Sequence, residues 1–461
     1  MSKHEKFTMK SLEEFRNKLE ETESKLPLSE DLSVLLQPIK VGDKTVPNRM
    51  AIHPMEGCDG EEDGSPSDLV FRRYERFAKG GAGLLWVEAT AVTESGRANP
   101  RQLSINRQTL DGFKLLSEKI QKDASPVSNG DSSQESQELK PYTVIQLTHS
   151  GRYSRPSAKP APIVAVRNPY LDVEGVDYKI ISDSELEQLE DQYVEAAVLA
   201  KEAGFDAVDV KACHRYLNSE LLSAFTREGR YGGSFENRTR FLINTVEKIR
   251  DRVGDSLDIA VRMNAYDAIP YPYGWGVNQD DHHIPDLTEP KQLMKMLWDR
   301  GVKVVNVTIG NPYYNPHVNR PYDTGFYTPP EHPLVGAERI MRIGKELQGA
   351  APEMMVIGTG FSWLREYGPL VAAGAIENDW FKMAGFGRQA FAYPDFPHDI
   401  KNEGGMVSSK SCIACGKCSE IMRYGGKSGC VIKDSKVYVP LYRECKEGKP
   451  SLVSKHLAEH V

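Results

Sequence analysis

Short apolar runs and longer stretches of helical periodicity take turns along most of this chain. Apolar runs bounded by glycine or polar turns predict buried strands over residues 50–52, 82–90, 142–147, 207–210, 257–262, 302–307, 354–357 and 380–383. Between them, apolar residues spaced three and four apart predict helices over 67–79, 110–121, 184–203, 237–253, 287–300, 336–347 and 361–373. Strands that alternate with helices pair in parallel, because each crossover returns the chain to the same edge in a right-handed sense. Eight such units predict an α/β protein whose strands close into a TIM (β/α)8 barrel.

The pattern also divides the chain. Residues 1–34 predict a charged helical extension, 35–400 the barrel, and 401–461 a small cysteine-rich appendage with too little apolar content for a core of its own. Within the barrel, residues 122–138 hold ASPVSNGDSSQESQ, which predicts a disordered surface loop.

Charge narrows the partners. A formal net charge of -7 and the lack of a dense basic run exclude nucleic acid and anionic lipid as expected partners, leaving small molecules and proteins. The N-terminus has no signal-peptide core and no segment approaches the about 18 apolar residues of a membrane span. A cytoplasmic protein is the expectation, with homo-oligomerisation left open. Of seven cysteines, Cys412, Cys415, Cys418 and Cys430 crowd one segment, while Cys58, Cys213 and Cys445 are scattered; that is metal-site spacing rather than a disulfide framework.

Polar residues cluster where predicted strands end, the edge at which barrels build active sites. They are His53 to Glu56, Glu88 with Ala89, Gln146 with His149, Lys211 to Tyr216, Arg262 with Asn264, Gly358 to Gly360, and Gly385 with Gly387 and Arg388. The last two groups are glycine turns that bare backbone N–H groups, and Arg388 adds a cation, so a phosphate-bearing ligand is implied. A loop after the sixth strand, NPYYNPHVNRPYD, is rich in aromatic and proline residues, carries His317 and Arg320, and is a candidate lid or substrate wall, or only a rigid cover; Tyr266 shares that ambiguity. REGRYGGSFENRTRF reads as structural, with Ser234 capping the next helix.

Taken together, Pro54-Met55, VEATAV, IQLTHSGR, GFDAVDV, REGRYGGSFENRTRF, FGRQAF and CIACGKC resemble the old yellow enzyme family of flavin-dependent ene-reductases. The resemblance runs from about Leu35 to Cys430 and is strongest to the iron-sulfur branch that includes 2,4-dienoyl-CoA reductase and trimethylamine dehydrogenase. It implies FMN in the barrel mouth. His53, Pro54, Met55 and Glu56 would line the pyrimidine edge, Ala89 and Gln146 would bond O2, O4 or N3, and Arg262 would lie near N1. Gly358, Gly360, Gly387 and Arg388 would hold the phosphate.

The same resemblance places His214 as a hydrogen-bond donor to the carbonyl oxygen of an activated alkene and Tyr216 as the proton donor to its α-carbon. Lys211 departs from the family's usual imidazole; it would favour an unsaturated acid, enone or thioester, or else pair with a carboxylate such as Glu56. Cys412, Cys415, Cys418 and Cys430 would ligate a [4Fe-4S] cluster, with structural zinc as the alternative. The expected electron donor is a protein, a ferredoxin, flavodoxin or reductase subunit, because the sequence to Val461 shows no nucleotide-binding repeat after the cysteines. NAD(P)H, acting directly at the barrel mouth or through a partner, is the alternative. Three other readings stay open: a dehydrogenase passing electrons outward through the cluster, a non-catalytic electron-relay subunit, and a Schiff-base lyase using Lys211.

Overall fold

The computed structural model describes residues 3–124, 139–325 and 327–447. Its centre is a closed barrel of eight parallel strands in sequential order: β1 (Met50–Ile52), β2 (Leu84–Ala91), β3 (Tyr142–Thr148), β4 (Ala207–Val210), β5 (Asp258–Asn264), β6 (Val304–Thr308), β7 (Met355–Gly358) and β8 (Met383–Phe386). Eight helices follow them in turn: α1 (Asp68–Lys79), α2 (Leu110–Asp123), α3 (Asp183–Glu202), α4 (Phe235–Val253), α5 (Thr288–Asp299), α6 (Pro333–Ala350), α7 (Gly368–Glu377) and α8 (Phe396–Glu403). β8 closes on β1 through Ala384 opposite Met50 and Phe386 opposite Ile52.

The strands are apolar on both faces because both are covered. Ala51, Leu84, Trp86, Val144, Ala260, Val304 and Ile357 fill the interior, with Val41 and Val46 of an antiparallel hairpin (Ile39–Val41 and Lys44–Val46) joined to the same cluster. Their alternates, among them Ile52, Leu85, Ile145, Val208, Val261 and Val305, pack outward with the helices. Helix starts follow their capping residues: Ser67, Ser182 and Ser234 each accept from a backbone N–H in the first turn, and Ser182 with Glu185 completes a capping box.

Two predicted boundaries shift. The eighth strand occupies Met383–Phe386 rather than 380–383: the N–H of Trp380 donates to Ala375 O at 2.9 Å, so the residue belongs to the turn that follows α7, while Phe381 is buried without a strand partner. The predicted helix 361–373 is broken, because Gly360 at φ +113° and Arg365 at φ +51° confine its start to a 3-10 segment, Phe361–Tyr367, before α7 begins. Of the predicted loop over 122–138, residues 125–138 lie outside the described residues, and α2 continues to Asp123.

The N-terminal helix, Leu12–Glu21, stacks Phe15 on Tyr367 at 4.7 Å. At the other end, the cysteine-rich segment carries α9 (Lys417–Arg423) and α10 (Ser435–Lys446). It is tied to the barrel by Asp434, which binds Arg72 and Arg76 of α1 at 2.7 Å each, and by the Ser428 N–H donating to Gly57 O at 2.6 Å.

Candidate active site

The carboxyl ends of the strands open on a cavity of about 730 Å³. β4 delivers its central residues. As the chain leaves the sheet, Lys211 N donates to Leu147 O at 3.1 Å and Ala212 N to Arg262 O at 2.9 Å, so it stays clamped between β3 and β5. His214 and Arg215 then adopt φ of +61° and +60°, a left-handed conformation that side chains other than glycine and asparagine rarely take. Arg215 secures the turn: its buried guanidinium donates to Asp267 Oδ2 at 2.9 Å and to Ser223 Oγ. Lys211, His214 and Tyr216 thereby all line the cavity.

Glu56, from the turn after β1, joins them. Lys211 Nζ lies 3.2 Å from Glu56 Oε1, the Tyr216 hydroxyl donates to the same oxygen at 3.2 Å, and Nζ sits 3.6 Å from the centroid of the Tyr216 ring. The β1 turn is anchored beneath by Glu88, which accepts from Gly57 N at 2.6 Å and pairs with buried Arg73, itself bound to Asp59. Two further tyrosines complete an aromatic wall: Tyr313 Oη is 3.1 Å from Tyr216 Oη, and its ring lies 4.0 Å from that of Tyr153.

Burial, followed by the charge of Glu56, pushes the Tyr216 hydroxyl well above its ordinary range, so it holds its proton. Burial, with Arg262 and Lys211 nearby, drives His214 well below its ordinary range, which leaves a neutral imidazole that donates without carrying charge.

A second set of groups lines the same cavity from β1, β4, β5 and β8. His53 Nδ1, Arg262 Nε, Arg388 Nη1 and His214 Nε2 are buried polar atoms with no protein partner, an uncommon concentration that calls for a ligand rich in acceptors. Gly385 has no room for a side chain, because a Cβ there would fall inside the His53 ring, and a Cβ on Gly387 would lie 3.0 Å from Met55 Sδ. His53, Pro54, Met55, Glu56, Arg262, Gly360, Gly387 and Arg388 line the cavity; Ala89, Gln146 and Gly358 do not. Gln146 Nε2 instead donates to Asp209 Oδ2 at 2.5 Å, and Asp209 Oδ1 accepts from Arg262 N at 2.7 Å. Asp209, pushed up to about 6 by burial, braces both residues. Orphaned donors, a cation beside glycine turns and a cavity of this size fit FMN, with Arg388, Gly360 and Gly387 at its phosphate and Arg262 toward its ring.

The cysteine-rich segment forms part of the same wall, since Cys418, Ser419, Met422 and Arg423 line the cavity. Cys412, Cys415, Cys418 and Cys430 surround a small void of about 20 Å³ that Arg388 and Phe391 also line. Ala414 N points at Cys412 Sγ (3.4 Å) and Lys433 N at Cys430 Sγ (3.3 Å), the N–H to sulfur contacts that stabilise ligating thiolates. Among the described residues, only Asp281, His282 and His283 bring three ligand atoms within 4.8 Å of one another. The thiols are thus spread wider than the roughly 3.8 Å that a tetrahedral zinc ion at about 2.3 Å imposes. This donor set fits an iron-sulfur cluster.

Tyr153, Arg423 and Cys58 had no signal in the sequence beyond their residue type, yet all three line the cavity, Cys58 with its Sγ 3.3 Å from Asn99 Nδ2; Tyr313 joins them from the aromatic loop after β6. Arg320 of the loop after β6 lines the cavity, whereas His317 turns away to Tyr327 at 2.5 Å. Tyr266 donates to His282 O at 2.8 Å and is not in the lining.

Comparison with known proteins bears on the fold and on the family. An NADH oxidase of Thermoanaerobacter brockii is 27% identical over 383 residues, covering 82% of this chain and 52% of that protein. An NADPH dehydrogenase of Clostridium acetobutylicum is 30% identical over 238 residues, 51% of this chain and 64% of its own length. The chain therefore spans about half to two thirds of the curated relatives it matches. Among solved structures, a 2-naphthoyl-CoA reductase complex superposes with a TM-score of 0.69 at 21% identity, covering 90% of this chain and 58% of that one. Histamine dehydrogenase from Rhizobium sp. 4-9 gives 0.62 at 19% identity, covering 86% and 51%. These two likenesses establish the barrel fold. The sequence pattern of one family matches residues 34–300, more than half of the chain, and by that match the chain belongs to the NADH:flavin oxidoreductase / NADH oxidase family.

Proposed function

We propose that the protein is an FMN- and [4Fe-4S]-dependent oxidoreductase that reduces an activated C=C bond in an enone, 2-enoate or enoyl thioester. One observation carries the reading. A single cavity is lined at once by the donor side chains His214 and Tyr216, by the phosphate-side group Gly360, Gly387 and Arg388, and by Cys418 of the four-cysteine segment.

When bound, the flavin supplies hydride chemistry and the cluster supplies single electrons. The chain's own residues do the rest. Neutral His214 donates a hydrogen bond to the substrate's carbonyl oxygen, where negative charge builds as the alkene is reduced. Tyr216, held protonated, gives the α-carbon its proton. Glu56 and Lys211 answer each other's charge and hold the Tyr216 hydroxyl in place. Arg388 and Phe391 line both the large cavity and the void between the thiols, so the two cofactor sites share a wall. The protein that delivers electrons docks on the face formed by Cys412 to Cys430.

The test is an anaerobic spectral titration of the reduced protein with enones, 2-enoates and enoyl-CoA esters. Stoichiometric reoxidation of the flavin by one class supports the reading. If none reoxidises it while a small amine or other reduced compound bleaches the oxidised flavin, electrons run outward and the reading is wrong. Iron and sulfide analysis of the same sample decides between cluster and zinc.

A further inference from the structure

The turn that carries Glu56 is held from two sides. Glu56 is followed by Gly57 and then by Cys58, whose φ of +50° is a left-handed conformation that residues other than glycine rarely take. On the barrel side, Gly57 N donates to Glu88 Oε2 at 2.6 Å. A Cβ on Gly57 would fall inside the Arg73 guanidinium, so the turn rests directly on the buried pair of Arg73 and Glu88. That side leaves the two carbonyls that flank the strained residue, Gly57 O and Cys58 O, in need of donors.

Both donors are tied to the cysteine-rich segment. Ser428 N donates to Gly57 O at 2.6 Å, and the same buried residue donates from Oγ to Cys418 O at 2.7 Å. Arg101, in the loop after β2, donates from Nε to Cys58 O at 3.1 Å and from Nη2 to Gly425 O. Gly60 N returns to Arg101 O at 2.9 Å and closes the turn on its far side. Cys418, Gly425 and Ser428 all belong to the stretch from Cys418 to Cys430, so one short piece of the segment reaches both carbonyls. The consequence passes to the site through Glu56, whose Oε1 meets Lys211 Nζ and the Tyr216 hydroxyl at 3.2 Å each. Both contacts are at the long end of hydrogen bonding, and both depend on where the turn places a single side chain.

We propose that Ser428 and Arg101 are positioning residues: through them the cysteine-rich segment fixes the Glu56 turn and, with it, the placement of the Tyr216 hydroxyl for proton transfer to the substrate. In that step the Tyr216 O–H bond breaks and a C–H bond forms at the α-carbon with the electron pair of the substrate's enolate, and water reprotonates the phenolate. The role of the hydroxyl rests on the ene-reductase reading; the hold on the turn does not. The segment thus takes part in the chemistry besides carrying the four thiols.

The test uses the full chain with its cofactors and the variants R101M, R101K and S428A, with R101M and S428A also combined with E56Q. Hydrogen exchange read by mass spectrometry should be about five-fold faster in the peptide from Pro54 to Gly60 of R101M and S428A, the protection that one hydrogen bond gives, at unchanged iron and flavin content. With an activated alkene that the protein reduces, kcat should fall about ten-fold at unchanged substrate Kd, and R101K should restore part of the loss. The alkaline fall in rate should move to lower pH, because the carboxylate that keeps Tyr216 protonated is no longer held against it. In the E56Q background the same substitutions should leave kcat and the pH profile where E56Q alone puts them, since they act through Glu56. Unchanged exchange in the turn overturns the proposal, and so does a full additive loss in the E56Q background. A raised Kd at unchanged kcat overturns it as well, because Arg101 would then touch the substrate itself, and loss of iron from either variant overturns it by reducing the ties to keeping the segment folded. If no activated alkene is reduced, the ene-reductase reading falls, and the exchange rates alone decide whether the segment holds the turn.

Discussion

Glu56 and Lys211 meet across the barrel mouth with Nζ 3.2 Å from Oε1, although they come from strand ends 155 positions apart. Lys211 is 2% exposed and Glu56 12%, so neither charge is answered by water. The lysine that departs from the usual imidazole and the glutamate beside it are therefore one unit, which also carries the Tyr216 hydroxyl.

Removing one member of that unit should cost more than removing both. K211M or E56Q alone should lower the unfolding free energy by about 3–5 kcal/mol, the usual penalty for breaking a buried pair, and the double variant should recover much of the loss. Urea unfolding of the four proteins gives the coupling energy. Additive losses would mean that the two charges are not coupled.

Tyr216 should be the residue whose loss stops chemistry without emptying the site. Y216F should lower kcat for alkene reduction by roughly 10²–10⁴-fold while leaving flavin content intact. Burial and then Glu56 raise the hydroxyl well above its ordinary range, so the protonated donor persists to higher pH and the rate should hold through pH 10. E56Q removes the carboxylate's repulsion and should move the alkaline fall to lower pH. A pH–rate profile that is the same in both proteins would remove Glu56 from this role.

Two neighbouring glycines should differ sharply. An alanine at Gly385 puts its Cβ inside the buried His53 ring and should expel both the ring and the flavin, whereas alanine at Gly387 meets only the flexible end of Met55, 3.0 Å away. Flavin retention after gel filtration should fall markedly in G385A and little in G387A. Equal retention would mean that the His53 turn does not shape the flavin site.

His149 makes stability depend on mild acid. Burial lowers it to about 4, while the unfolded chain's histidine titrates near its ordinary value of about 6.5. Between those values the unfolded state binds a proton that the folded state refuses, so stability is complete above about pH 6.5 and declines as pH falls toward 4. His149 Nδ1 accepts from Gly151 N at 3.1 Å, a role that an asparagine oxygen can fill. H149N should therefore flatten the dependence of unfolding free energy on pH between 6 and 5 by up to about 1.4 kcal/mol per pH unit. An unchanged slope would show that the ring takes up its proton without unfolding.

Much of the scaffold could be read locally. The strands over Tyr142–Thr148 and Ala207–Val210 and the helices capped by Ser67, Ser182 and Ser234 agree with their sequence signals because those signals act over a few residues. Trp380 and Phe381 were harder to place: a buried apolar pair has the same composition in a strand as in the turn that precedes one, and only pairing with β1 and β7 sets where β8 begins. In the site, Lys211, His214, Tyr216, Arg262 and Arg388 stand out as polar residues directly after apolar runs. Tyr153 and Arg423 do not, because nothing beside them in the chain marks them as neighbours of Tyr216, and Tyr313 stands out only as part of the aromatic loop after β6.

From its amino-acid order alone this protein determines a ring of eight strand-helix units, a set of polar residues along one rim and four thiols in a separate segment. Periodicity and spacing are short-range properties, and they are sufficient for those features. Which charges cancel and which remain was decided only by folding. Closure of the barrel brings Glu56 to Lys211, and packing of the tail against the mouth brings Cys418 and Arg423 into the cavity lining, so these roles come from distances that no local stretch of sequence contains.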